Sequence, residues 1–246
     1  LSPAWTEEGK KLDVEDLRTK YDKGNDYGMS KIGKAEWNVQ ADAFMKTATG
    51  KTLAEVKALV AENGAPQGDL ATAGCTINVY EFMAALDKAV ANAADSTATA
   101  ENNLKLALLA SDHGSKDATE EADGVQAYDV TISAIVTDSA GKVVVAKTDC
   151  VQSNMTFNLK GEATYDAKAE VKTKLELGKD YGMSAIGKAE WDAQAAAFDK
   201  ALVGKTAAEF AGLADEKGNG TGDLATAGCT IGISDMIKAA EVAAKA

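Results

Sequence analysis

Apolar positions along this chain follow two periods, in separate stretches. Trp37, Ala41 and Phe44 fall at i, i+4 and i+7, and Trp191, Ala195 and Phe198 repeat that spacing, which marks one buried face of a helix. Thr52-x-x-Glu55 and Thr206-x-x-Glu209 are capping boxes, in which hydroxyl and carboxylate satisfy backbone N–H groups of a first helical turn reciprocally. They open a second helix with Leu53, Val56, Leu59 and Val60 as its buried stripe, and Gly64 and Gly218 are expected to stop it. A last helix, started by Asn78 with Glu81 three residues later, carries Val79, Phe82, Met83, Leu86 and Val90 on one face. Elsewhere the period is two. Val130, Ile132, Ala134 and Val136 share a face, Asp138-Ser139-Ala140-Gly141 supplies a turn, and Val143-Val144-Val145 returns as the second arm of a hairpin. Leu104 to Leu108 reads as another strand, Ser111 to Asp123 as a polar loop, and Met155-Thr156-Phe157-Asn158-Leu159 as the run that completes a small antiparallel sheet. The fold class expected is α+β.

The chain contains an internal repeat. Asp26-Tyr27-Gly28-Met29-Ser30 recurs as Asp180-Tyr181-Gly182-Met183-Ser184, an offset of 154 that holds without a gap through Ile32-Gly33-Lys34-Ala35-Glu36-Trp37 and Ile186-Gly187-Lys188-Ala189-Glu190-Trp191. At the same offset Gly68-Asp69-Leu70-Ala71-Thr72-Ala73-Gly74-Cys75-Thr76 recurs as Gly222-Asp223-Leu224-Ala225-Thr226-Ala227-Gly228-Cys229-Thr230. Helix-surface positions drift between copies (Asn38 against Asp192, Lys57 against Ala211), while these two blocks do not. Leu1 falls opposite Met155, so the first copy has no counterpart of the strand-rich stretch near Asn102 to Asn154. The expected organisation is a tandem repeat of a small antiparallel sheet plus helices: an N-terminally incomplete copy at 1–94, a linker at 95–102 and a complete copy at 103–246. A truncated or processed first copy is the reading favoured.

Composition narrows the chemistry. With 26 Lys+Arg against 38 Asp+Glu and no basic cluster, the net charge of −12 disfavours a nucleic-acid partner. No run is long and apolar enough to span a bilayer, and Leu1-Ser2-Pro3-Ala4-Trp5 lacks the regions of a signal peptide. The one histidine, His113, sits in a polar loop and is read as exposed; it leaves no His-based triad or zinc cluster. Cys75, Cys150 and Cys229 are too few and too widely spaced for a disulfide framework, and no cation flanks Cys75 or Cys229, which read as small buried fillers before redox thiols. Acidic Glu120-Glu121-Ala122-Asp123 lacks calcium-loop spacing and reads as solvated loop. No catalytic residue and no metal ligand is expected.

The GDLATAGCT block is expected to be a loop ending at a helix N-terminus, where Gly74 and Gly228 admit a close ligand and the free N–H groups suit an anion such as phosphate. Against this stands plain turn chemistry, with Asp69, Thr72 and their counterparts Asp223 and Thr226 bonding their own backbone. Tyr27, Met29 and Trp37, with Tyr181, Met183 and Trp191, offer a flat apolar wall; the tryptophans fit equally a core role at helical spacing.

Ala73-Gly74-Cys75-Thr76 and Ala227-Gly228-Cys229-Thr230 resemble the Ser/Thr-Gly-Ala-Thr flavinylation motif of the FMN-binding domain family. With Ala73 and Ala227 where the family has Ser or Thr, and with Asp69 and Asp223 one residue further from the threonine, the match is not literal. The tandem arrangement with DYGM-type blocks is similar to PplA-like flavinylated surface lipoproteins of Gram-positive extracellular electron transfer. The resemblance implies two covalent FMN groups, on Thr76 and Thr230, attached by a magnesium-dependent FAD:protein FMN transferase. It further implies FMN contacts from Asp69, Asp223, Thr72, Thr226, Gly74, Gly228, Cys75, Cys229, Tyr27, Tyr181, Met29 and Met183. A membrane NADH- or quinone-linked reductase would be the donor, ferric iron or small molecules the acceptors, and the cell surface the location, through a lipid anchor upstream. On that reading the chain is a redox carrier before it is an enzyme. The alternative is a cell-surface binding or adhesion module with duplicated recognition loops and no flavin; a hydrolase built on Asp69/Asp223 with Thr72/Thr226 is disfavoured for want of a partner base.

Overall fold

The computed structural model describes Thr6, residues 8–11 and residues 18–245; the opening Leu1-to-Trp5 stretch lies outside the described residues. The chain divides into two compact units, Arg18–Asp95 and a second formed by Ser96 onward with the described residues before Arg18. It is an α+β protein.

The first unit is helical. Short α1 (Lys20–Lys23) leads through two 3₁₀ turns to α2 (Trp37–Ala48), followed by α3 (Leu53–Lys57), α4 (Gly68–Thr72) and α5 (Tyr80–Ala91). Among its described residues the backbone pairs in strand fashion only at a Val60–Pro66 bridge. Phe44, Val56, Leu70, Cys75, Val79 and Met83 form its core. The capping box is realised, with Thr52 and Glu55 bonding reciprocally, but the helix it opens runs only to Lys57. The chain doubles back and Gln67 donates through its backbone N–H to the Leu59 carbonyl (2.9 Å) and through Nε2 to that of Ala58 (3.1 Å), taking the acceptors that would have prolonged the helix. Gly64 therefore stops nothing. It turns the chain beyond the helix at φ +80°, pressed so closely on Asn78 that an added Cβ would lie 2.4 Å from Asn78 Oδ1. Asn78 does precede the last helix: its Oδ1 accepts from Tyr80 N (2.9 Å), while Val79 holds the N-cap position itself.

The second unit adds a sheet to the same helical plan. Three antiparallel strands, β1 (Asn103–Asp112), β2 (Gly124–Thr137) and β3 (Val143–Phe157), lie in the order β1-β2-β3. Val143–Val145 and Met155–Phe157, expected as separate strands, are the two ends of one strand, β3, which pairs with β2 along its length (Val136↔Val145, Thr131↔Cys150, Gln126↔Met155). The stretch between them escapes an apolar count because its inward positions are small or polar: Thr148 is fully buried opposite the fully buried Ser133. Helices α6 (Lys174–Leu177), α7 (Trp191–Leu202), α8 (Gly222–Thr226) and α9 (Ser234–Lys245) repeat α1, α2, α4 and α5, and a 3₁₀ segment, Ala207–Leu213, replaces α3. Gly218, like Gly64, turns the chain past that segment at φ +80°. Ala107, Ile135, Val143 and Cys150 from the sheet share one core with Trp191, Phe198, Leu202, Ile233 and Ala240 from the helical part. Leu104, Leu106 and Leu108 alternate to the other face of β1 and are 67%, 61% and 45% exposed.

Candidate functional site

The two sequence blocks shared by both copies meet in space, and the residue that joins them is a glutamine. Gln40 lies on the inward face of α2, three residues after Trp37 and one before Ala41, and is 1% exposed. Its Oε1 accepts from Thr76 N (2.8 Å), Thr76 Oγ1 (2.8 Å) and Ile77 N (3.1 Å), while Nε2 donates to Ala35 O (2.9 Å) and lies 3.8 Å from Met29 Sδ. In the second copy Gln194 is fully buried and repeats the pattern: Thr230 N at 2.9 Å, Thr230 Oγ1 at 3.4 Å, Ala189 O at 2.9 Å and Met183 Sδ at 3.6 Å. A buried amide left unpaired would cost about 1–3 kcal/mol, so one side chain fixes the end of each GDLATAGCT block against each DYGMSxIGKAEW block. Sequence reading missed both glutamines. The signal was there: an identical polar residue at i+3 of each Trp-x-x-Gln-Ala stripe, where an apolar one is expected.

Glu36 and Glu190 organise the other side. The Glu36 carboxylate accepts from Met29 N (2.9 Å), Ser30 N (3.2 Å) and the Ser30 hydroxyl; Glu190 accepts from Met183 N (3.0 Å) and the Ser184 hydroxyl. In each case the serine hydroxyl is the largest influence holding the carboxyl below its ordinary range, against an opposing push from burial. Gly28 and Gly182 turn this loop at φ +75°. The identity of the first block is thus explained as a carboxylate-bound turn that places Met29 or Met183 on the glutamine.

The GDLATAGCT block is not the open loop expected. Its first five residues form the short helices α4 and α8, and Gly74 (φ +96°) and Gly228 (φ +100°) then reverse the chain. The following long helices begin only at Tyr80 and Ser234, so Thr76 and Thr230 are not at a helix N-terminus. The N–H groups of Thr76 and Ile77 are taken by Gln40, which removes the anion site inferred from the sequence. Thr72 and Thr226 turn their hydroxyls back onto Gly68 O and Gly222 O at 3.1 Å, the local bonding of the turn-chemistry reading. Asp69 and Asp223 stand in the first turns of α4 and α8. Cys75 and Cys229 are fully buried, with burial pushing both thiols up, so they are inert fillers beside the threonines. Thr76 itself is exposed and Thr230 half-buried.

The aromatic wall is already engaged. Lys20 Nζ lies 5.2 Å from the Tyr27 ring centroid and 5.7 Å from that of Trp37, and Lys174 Nζ 5.0 Å from Tyr181 and 5.6 Å from Trp191. Trp191 is 4% exposed, and the Tyr181 hydroxyl donates to Gln152 Oε1 at 3.1 Å. Trp37 packs edge-on to Phe82 with centroids 5.6 Å apart. The tryptophans are core residues. The structure brings Met29 and Met183 to the threonines through the glutamines, whereas Tyr27 and Tyr181 bind lysines. Open space lies elsewhere: Asp223 and Ala227 border a groove of about 770 Å³ whose other wall includes Ala197, Ala201, Lys200 and Lys205. His113 is exposed, yet it pairs with Asp129 (Nδ1 to Oδ2 3.3 Å) and Gln152 (3.1 Å). Among the described residues no cluster of His, Cys, Asp and Glu is arranged to hold a metal ion, and no helix is long and apolar enough to cross a membrane.

No protein-family model, curated protein or solved structure matches this chain.

Proposed function

We propose that this chain is a redox carrier bearing two FMN groups, each joined by a phosphoester to a threonine hydroxyl, at Thr76 and Thr230. One observation carries the reading: in both copies the final threonine of an otherwise structural block presents its hydroxyl at a surface turn, held by a buried glutamine. A turn maintained only for packing would not call for the same hydroxyl, in the same bond, twice. Flavin supplies reversible one- and two-electron chemistry that none of these side chains offers.

The chain's own contribution is position and environment. Gly74 and Gly228 bend the acceptor turn outward, and Glu36 and Glu190 fix the loop beneath it. The groove beside Asp223 is of a size that takes a small planar ligand, and Lys200 and Lys205 would favour a reduced, anionic one. Two carriers in one chain suit relay from a membrane reductase to ferric iron or small-molecule acceptors at the cell surface, after modification by a magnesium-dependent flavin transferase.

The test is intact-mass spectrometry with peptide mapping on protein made with and without an active flavin transferase. Two FMN-minus-water increments, mapped to Thr76 and Thr230 and abolished together by Thr76→Ala with Thr230→Ala, are expected. An unmodified mass beside a modified control substrate removes this reading in favour of a binding module whose duplicated turns meet a partner directly.

A further inference from the structure

We infer that Gln40 and Gln194 are positioning residues for the modification of Thr76 and Thr230, each setting the direction in which its threonine hydroxyl can attack. The inference rests on the flavin reading above and goes beyond it, because the blocks that suggested that reading include neither glutamine. Its basis is geometric. A hydroxyl has one hydrogen and two lone pairs. With the hydrogen directed at Gln40 Oε1, 2.8 Å away, the remaining lone pairs of Thr76 Oγ1 are left for an incoming electrophile on the exposed side. Oε1 also holds Thr76 N and Ile77 N, so the backbone that carries the hydroxyl is fixed by the same atom. The amide cannot swing away, since Nε2 is bonded to Ala35 O at 2.9 Å and the whole side chain is buried. The same constraints, from Ala189 O and Thr230 N, act on Gln194.

The step balances without any further reactant. Oγ1 bonds to the flavin-side phosphorus of FAD, the pyrophosphate P–O bond breaks, AMP leaves, and the hydroxyl proton passes to a base of the transferase. The glutamine accepts a hydrogen bond before the step and is not itself protonated. Afterwards Oγ1 is an ester oxygen, and Oε1 keeps its backbone N–H partners, so the turn stays closed around the product.

The two copies make the test internally controlled. In Gln194→Met, which keeps the length and apolar bulk but removes the acceptor, the maximal rate at Thr230 falls about tenfold, the worth of one hydrogen bond of ~1.4 kcal/mol, with KM changed little. Modification of Thr76 in the same molecules proceeds at the wild-type rate. Gln40→Met gives the mirror image. Gln194→Glu, which restores an acceptor for Thr230, recovers most of the rate, and circular dichroism with hydrogen exchange at Thr230 N reports whether the turn is intact. A merely structural glutamine would raise KM and speed exchange while leaving the maximal rate alone, and that result overturns the inference, as does a folded Gln194→Glu as slow as Gln194→Met. Were wild-type protein modified at both threonines and Gln194→Met equally so, the positioning role would fall and the flavin reading stand. Wild-type protein unmodified at either site ends both.

Discussion

At the scale of single residues, the protein uses buried polar side chains in two different ways. Gln40 and Gln194 are satisfied on both ends of the amide and act as joints. Asp199 is not so well served. It is 7% exposed on α7, one oxygen accepts from Thr148 N at 3.1 Å, and the other has no partner. Burial is the main cause that raises its pKa, with the Thr148 bonds opposing. Because the folded-state pKa lies above the unfolded one, the folded state holds the proton more tightly. Stability is then fullest below the unfolded pKa and declines as pH rises through the folded one. Asp199→Asn removes that decline and keeps a carbonyl for Thr148 N. The variant is expected to melt about 2–4 °C higher than wild type at pH 8, corresponding to ~1 kcal/mol for a domain of this size, and to lose the advantage as the pH approaches the ordinary range of an aspartate. Melting curves across that pH range check it; a gain that is independent of pH would show that the charge is not the cause.

At the scale of elements, the same helix meets two environments. In α9, Ala239, Ala240 and Ala243 are 1%, 0% and 1% exposed beneath the sheet, which their small size allows to approach closely. In α5 the counterparts Ala85 and Ala89 are exposed, and Met45, opposite Asp199 in the repeat, is 49% exposed. Nothing in the alanine pattern distinguishes the two helices, since both read as weakly amphipathic. Ala239→Leu is therefore expected to cost about 1–3 kcal/mol through overpacking, while Ala85→Leu stays within about 0.5 kcal/mol. Chemical denaturation of the two variants measures the difference, and equal effects would mean that the sheet does not press on α9 as described. The capping boxes teach the same lesson from the other side. Thr52 with Glu55 and Thr206 with Glu209 start turns where the local sequence says they should. How far each turn continues is settled by Gln67 and its neighbours, distant residues that take up the helix carbonyls.

At the scale of the whole molecule, two compact units are joined by residues that form no helix or strand between Asn92 and Ala100 and are exposed throughout. Limited proteolysis with an alanine-directed protease is expected to cut first in that stretch. The C-terminal fragment would then keep its mixed helix and strand circular dichroism and a single cooperative melt, since it contains both the sheet and the helices that share its core. Early cleavage inside β1–β3 or α7 would contradict this.

Repetition, periodicity and turn chemistry determined much from the sequence alone: an α+β chain, a duplicated plan, the helix face Trp-Ala-Phe in each copy, the hairpin around Asp138 and the buried, unreactive cysteines. These are local or internally compared properties, and a chain states them residue by residue. Only the tertiary structure decided that Val143 and Phe157 belong to one strand, that Gly64 turns against Asn78, that Thr76 lies away from any long helix N-terminus, and that Lys20 and Lys174 cover the aromatic rings. It also decided that Gln40 reaches Thr76 across 36 residues. Each of these is a partnership between segments far apart in the chain, and the free energy of a buried polar contact depends on who is present at the other end.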